Sequence, residues 1–171
     1  MNDNGDVLRA IAEISSSPWH GIVYRHMFAD YGPDRENTLG ARWNPAGVPA
    51  IYTSLSREAV LAEVEHQLRM EPLRPSVRRT LYRIEITLSS VIDLSSWSIL
   101  EKLGLSPEGF AGIDHAACQK IGGAVENLEH DGLFVPSARL TGGTNLVIYP
   151  NRQTPRYRFR VIDSEIIFDP E

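Results

Sequence analysis

The chain has 171 residues, 42% of them apolar and 23% charged, the balance of a globular protein with one substantial core. That length predicts a single α+β domain spanning residues 1–171, which buries roughly two-thirds of its unfolded surface without help from disulfides or metal. Net charge is −5, from 17 basic and 22 acidic residues, which argues against direct nucleic-acid binding, a process driven by clustered positive charge. Cys118 is the lone cysteine, so it suits a reducing compartment. Met1–Asp6 is polar and acidic, unlike a signal peptide, and no apolar run approaches the roughly 20 residues of a membrane helix. A soluble cytoplasmic protein without membrane contact is expected. Apart from Lys102 and Lys120, every basic residue is arginine. The guanidinium fork matches phosphate and carboxylate, although G+C-rich coding would produce the same bias.

Along the chain, residues 1–16 read as a short amphipathic helix, with Val7, Leu8, Ile11 and Ile14 at helical spacing. Ile22–Phe28 reads as a strand, and the segment 30–47 is rich in turn formers: Gly32-Pro33, Gly40, Asn44-Pro45 and Gly47. A short strand, Ala50–Thr53, leads into a helix over Ser54–Met70 that Ser56 can cap and Pro72 stops. Thr80–Leu88 alternates, with Tyr82, Ile84, Ile86 and Leu88 on one face, as in a half-buried strand. Ser106-Pro107-Glu108 opens a helix, and Ile113–Leu128 reads as another, weakened by Gly122-Gly123. Strands at Leu133–Val135 and Asn145–Tyr149 flank the loop 136–144. In the last strand, Arg156–Ile162, the arginines alternate with Tyr157, Phe159 and Val161, most simply as a solvated face. Without regular βαβ spacing, the sheet should be mixed or mainly antiparallel and flanked by helices.

Several chemistries find no support. There is no GxGxxG, no GxxxxGK[ST], no HExxH, no CxxC and no GxSxG. The histidines at 20, 26, 66, 115 and 130 lack ligand spacing, so no metal site is expected.

Three features stand out instead. At 100° per residue, Glu63 falls inside the apolar arc formed by Ala59, Val60, Leu61, Val64 and Leu68, while Glu58 and Glu65 point away. A carboxylate there is costly unless paired or used; a structural ion pair with an arginine and a functional group both fit. Upstream, Tyr24-Arg25, Gly40-Ala41-Arg42-Trp43-Asn44 and Tyr52 combine guanidinium, rings and glycine. These suit an anionic, ring-bearing ligand, but equally a pair of core aromatics beside a surface arginine. Third, Pro136-Ser137-Ala138 precedes Gly142-Gly143-Thr144-Asn145. Ser137 there is either a turn former or a hydroxyl aimed into a cleft.

Together these stretches resemble the RES domain family. The matching segments are Val23-Tyr24-Arg25, Gly40 to Gly47, Ala50-Ile51-Tyr52-Thr53-Ser54, Glu58 to Glu63, Val135 to Ala138 and Asn145 to Pro150, a pattern running from about 19 to 150. The resemblance implies a fold akin to ADP-ribosylating toxins and the toxin role in a toxin–antitoxin pair. It implies NAD as substrate, cleaved by hydrolysis or phosphorolysis with phosphate as possible co-substrate and no further cofactor. It also implies an Xre-like helix-turn-helix antitoxin as partner. A mono-ADP-ribosyltransferase acting on a protein, or an inactive binding module of the same fold, are the alternatives. By the same resemblance, Glu63 stabilises the ribosyl cation, Arg25 and Arg42 hold the pyrophosphate, Tyr52 stacks on nicotinamide or ribose, and Ser137 bonds the ligand. Tyr24, Trp43 and Asn145 complete the substrate site. Gly40-Ala41 stands where the family usually has a glycine pair.

Overall fold

The computed structural model describes residues 4–70, 77–112, 114–150 and 154–170. Six strands form one sheet: β1 (Ser17–Phe28), β2 (Ile51–Ser54), β3 (Arg79–Asp93), β4 (Gly132–Pro136), β5 (Thr144–Ile148) and β6 (Arg158–Phe168). Among the described residues, five helices accompany them: α1 (Asn4–Ala12), α2 (Arg57–Met70), α3 (Trp97–Lys102), α4 (Pro107–Ala111) and α5 (Ala116–Asn127). Every strand pairing is antiparallel except β3 with β4, so the expected α+β class with a mixed, mainly antiparallel sheet is what the chain adopts. None of its described helices is long and apolar enough to cross a membrane.

The ladder closes on itself. β3 lies between β1 and β6 along most of its length, then turns its last residues, Val91–Asp93, onto β4. β4 pairs with β5, β5 with β2, and β2 returns to β1. That return is slight, a single register pair, Tyr24↔Ser54. The ring therefore parts where β1 and β2 diverge, and a cleft opens there.

Three apolar clusters fill the molecule. Val23, Ile51, Ile84, Ile86, Leu88, Leu146 and Ile148 occupy the sheet interior. Ile11, Leu94, Leu100, Ile121, Val125, Leu133 and Val147 lie under the helical layer. Val60 and Val64 of α2 close over Leu81. The alternation read in β3 is present: Ile84, Ile86 and Leu88 are buried on one face, and Leu81 is buried on the other because α2 covers it.

Several expected boundaries move, each for a local reason. Helix α1 ends at Ala12 rather than 16. Ser54 belongs to β2, and α2 begins at Arg57, where Ser56 Oγ accepts the Ala59 N–H at 3.2 Å. The proposed stop at Pro72 lies outside the described residues. β3 continues through Ser89-Ser90 to Asp93 because the buried Asp131 carboxylate accepts both serine N–H groups, at 2.9 and 2.8 Å. Helix α5 starts at Ala116, whose N–H is taken by Asp114 Oδ1 at 2.9 Å, and Ile113 lies outside the described residues. β6 extends to Phe168, and α3 was not anticipated.

Gly122 belongs in α5 for a packing reason. A Cβ there would lie 1.8 Å from the Trp43 carbonyl oxygen and 2.7 Å from the Tyr149 hydroxyl. The helix touches the loop after Gly40 backbone to backbone, which only glycine permits.

Candidate functional site

The cleft left by β1 and β2 encloses about 380 Å³, toward the lower end of the range for small-molecule sites. Eight residues singled out from the sequence all line it: Tyr24, Arg25, Arg42, Trp43, Tyr52, Glu63, Ser137 and Asn145. They come from β1, the loop before β2, β2 itself, α2, the β4–β5 loop and β5. His26, Gln67, Phe110 and Arg139 also reach the wall and were not anticipated.

The loop carrying Arg42 is held rigidly. Gly40 adopts φ +95°, and Asn44, fully buried, donates its amide to Val48 O at 2.8 Å and to Asn37 O at 3.2 Å. The Tyr52 hydroxyl accepts the Trp43 N–H at 2.8 Å and donates to Asn44 Oδ1 at 2.6 Å. From behind, the Tyr149 hydroxyl bonds Trp43 O at 2.8 Å and the Gln119 amide bonds Ala41 O at 2.9 Å. Tyr52 thus spends its hydroxyl as a brace. Burial, the main cause, pushes that phenol well above its ordinary range, so the hydroxyl stays protonated as a brace while Tyr52 lines the cleft. Trp43 is 2% exposed and its ring packs 6.1 Å from Phe110. It backs the cleft as a core aromatic.

The two arginines are anchored separately. The Arg25 guanidinium donates to Pro33 O; burial lowers its pKa to about 10, with Asp34 opposing in part. Arg42 donates to Phe110 O, and its guanidinium carbon lies 4.8 Å from the Phe110 ring centre. Each guanidinium keeps further N–H donors beyond that anchor. His26, beside Arg25 on β1, is held neutral. Burial, then the charges of Arg79 and Arg25, lower its pKa to about 4.

Glu63 has one oxygen fixed and one loosely met. Oε1 accepts the Gln67 amide at 3.1 Å, one helical turn on, and Gln67 Oε1 in turn accepts from Arg79 at 2.6 Å. Because arginine only donates, Gln67 must point its NH2 at Glu63. Oε2 lies 3.5 Å from Arg139 Nε. The Glu63 side chain remains 40% exposed, so its carboxylate faces the cleft rather than a sealed core pair. Ser54 Oγ donates to Asn145 Oδ1 at 2.8 Å, and Ser137 Oγ accepts two backbone N–H groups of its own loop.

Such a site sets a half-exposed carboxylate and carbonyl-anchored arginines in one cleft of a parted α+β sheet, a class of cleft with donors for an anionic ligand. The family can be named. A family model described as the RES domain matches residues 15–169, and the chain belongs to that family. Among relatives, it is 31% identical over 163 residues to proteins named NAD(+) phosphorylase MbcT from Mycobacterium bovis and Mycobacterium tuberculosis, covering 90% of this chain and 85% of theirs. A solved structure, the M. tuberculosis MbcT-MbcA toxin-antitoxin complex, superposes with a TM-score of 0.81 at 27% identity, covering 94% of this chain and 91% of that one.

Proposed function

We propose that this chain is the toxin of a toxin–antitoxin pair that depletes NAD by breaking its nicotinamide–ribose bond, with inorganic phosphate as acceptor. The observation that carries this reading is the convergence of Glu63, Arg25, Arg42 and Ser137, from four separate parts of the chain, on one cleft. Relatives named as NAD(+) phosphorylases support the substrate and the acceptor. The reaction runs in the cytoplasm, where NAD and phosphate are both present.

The chemistry suits the groups available. Nicotinamide leaves as a neutral molecule from a cationic precursor, so no acid is required. His26 is neutral and the Tyr52 proton is already given to Asn44, so neither is poised as one. What develops is positive charge on the ribose, and the Glu63 carboxylate, oriented by Gln67, stabilises it electrostatically. Arg25 and Arg42 hold the pyrophosphate with the donors their carbonyl anchors leave over. The Tyr52 ring packs on nicotinamide or ribose; Tyr24, Ser137 and Asn145 complete the pocket. Trp43 supports the loop from the core. The partner is an antitoxin of the Xre-like helix-turn-helix kind that covers the cleft and supplies operator binding, because this chain, at net charge −5, is poorly suited to DNA.

The test is to incubate the purified chain with NAD, with and without phosphate, and to identify the products by chromatography. Release of nicotinamide together with an ADP-ribose product is expected. Intact NAD under both conditions defeats the proposal.

A further inference from the structure

Resting on the NAD-cleaving reading, we propose that Arg139 and Ser137 form the subsite for the attacking phosphate, making Arg139 the residue that selects phosphate as acceptor. A phosphate dianion must approach the ribose carbon beside a carboxylate that repels it. A cation close to Glu63 would cancel that repulsion, whereas a water acceptor needs none. Among the described residues, the ion-pair partner of Glu63 is Arg139, with Nε 3.5 Å from Oε2. This is longer than a well-formed charged hydrogen bond. The Arg139 side chain makes no hydrogen bond among the described residues, whereas Arg25 and Arg42 are each tied to a backbone carbonyl. Its fork is therefore the one in the cleft most available to a tetrahedral oxyanion.

Ser137 completes the subsite. Its Oγ accepts the N–H of Leu140 at 3.1 Å and of Arg139 at 3.3 Å. With both lone pairs used toward its own loop, the hydroxyl proton points elsewhere and is free to donate. The loop that presents the two side chains is tight by construction. Ser137 N–H bonds Gly143 O at 2.8 Å, Gly143 N–H bonds Leu140 O at 2.9 Å, and Gly142 sits at φ +79°. A Cβ on Gly143 would crowd Leu140 O at 3.0 Å and Ser137 Cβ at 3.1 Å. Arg139 and Ser137 thus line the same cleft from one tight loop, with Arg139 Nε 3.5 Å from Glu63 Oε2.

In the step, the bond between ribose C1′ and the nicotinamide nitrogen breaks, and its electron pair leaves with nicotinamide. A lone pair on a phosphate oxygen forms the new C1′–O bond. The phosphate proton passes to solvent, and ADP-ribose 1-phosphate results. Arg139 exchanges its long contact with Glu63 for the incoming oxyanion, freeing the carboxylate for the ribosyl cation.

The experiment measures NAD loss against inorganic phosphate concentration for the full chain and for Arg139→Ala, with Arg139→Gln as the alternative should the alanine variant fail to fold. Loss of one charge-assisted contact should raise KM for phosphate at least about tenfold. KM for NAD should move less than about twofold, since the pyrophosphate is held by other arginines. Arg139→Lys, which keeps the charge without the fork, should fall between. An unchanged phosphate KM in the neutral variants overturns the proposal, as does a rise in both KM values together. If the wild-type chain consumes NAD at a rate indifferent to phosphate, the subsite is overturned while the NAD reading stands. If it consumes none, both fall.

Discussion

The arginines of the cleft and those of the outer sheet are the same residue in opposite circumstances. On the outer face, four guanidiniums meet carboxylates distant in sequence: Arg83 with Asp163 at 2.7 Å, Arg160 with Glu85 at 3.1 Å, Arg57 with Glu165 at 2.6 Å and Arg78 with Asp169 at 3.0 Å. Arg83 is accordingly raised in pKa by its bond to Asp163. In the cleft, Arg25 is lowered to about 10 because burial strips its water and Asp34 offsets only part of the loss. Arg42 leans on a ring and a peptide carbonyl. A guanidinium held close by its own carboxylate has little left to offer, unlike Arg139, whose contact with Glu63 is 3.5 Å. One held by a neutral carbonyl keeps both its charge and spare donors for an anionic ligand. Composition counts the two groups alike; their partners and their place in or out of the cleft tell them apart.

The sharpest test of that division is at the cleft's own carboxylate. Glu63→Gln should lower NAD turnover on the order of a hundredfold or more with the fold retained, because only the charge is removed. Wild-type turnover would make Glu63 merely the acceptor for Gln67.

A second test asks what burial beside two cations does to His26. The pKa of His26 in the fold, about 4, lies below its ordinary value near 6.5. The unfolded chain therefore binds a proton first as pH falls. The stability this neutral histidine contributes is complete above about pH 6.5 and is lost as pH drops through about 4, a change on the order of 3 kcal/mol. His115 and His130 shift in the same direction. Unfolding midpoints measured between pH 7 and pH 4 should fall steeply for the wild type and less for His26→Gln. Parallel curves would show that burial and the charges of Arg79 and Arg25 do not hold this histidine neutral.

Next in size, Arg25→Ala and Arg42→Ala should each weaken NAD turnover by roughly 1.5–3 kcal/mol of lost charge-assisted contact, read as kcat/KM. Kinetics like wild type in both would move these arginines into the structural group. The smallest effect is expected outside. Arg160→Ala removes an exposed pair of a kind worth about 0–1 kcal/mol, and thermal unfolding should barely register it. A large loss there would erase the distinction.

What the sequence disclosed followed from periodicity. A helical wheel was enough to aim Glu63 at the right side of α2, since α2 is regular and one face packs on β1 and β3. The outer arginine row was legible for the same reason in β6. What periodicity does not carry is replacement of one partner by another distant in sequence. Ser89-Ser90 breaks the alternation of β3, yet the strand persists because a carboxylate 41 and 42 residues away takes its donors. The Tyr52 brace and the Arg139 contact with Glu63 likewise depend on loops whose geometry no repeat announces. Gly122, which weakens the helical pattern, marks where the helix has to be bare.

That bare spot has a genetic corollary. A selection for mutants that escape a toxin's harm returns substitutions wherever the protein is broken, without regard to why. Position 122 does not line the cleft, yet alanine there would drive a methyl into the Trp43 carbonyl at 1.8 Å. Survivors carrying changes at Gly122 should appear alongside those at Glu63, and a map of escape mutations would draw the two as one cluster. One of them would mark chemistry, the other a point of contact with no room for a single carbon.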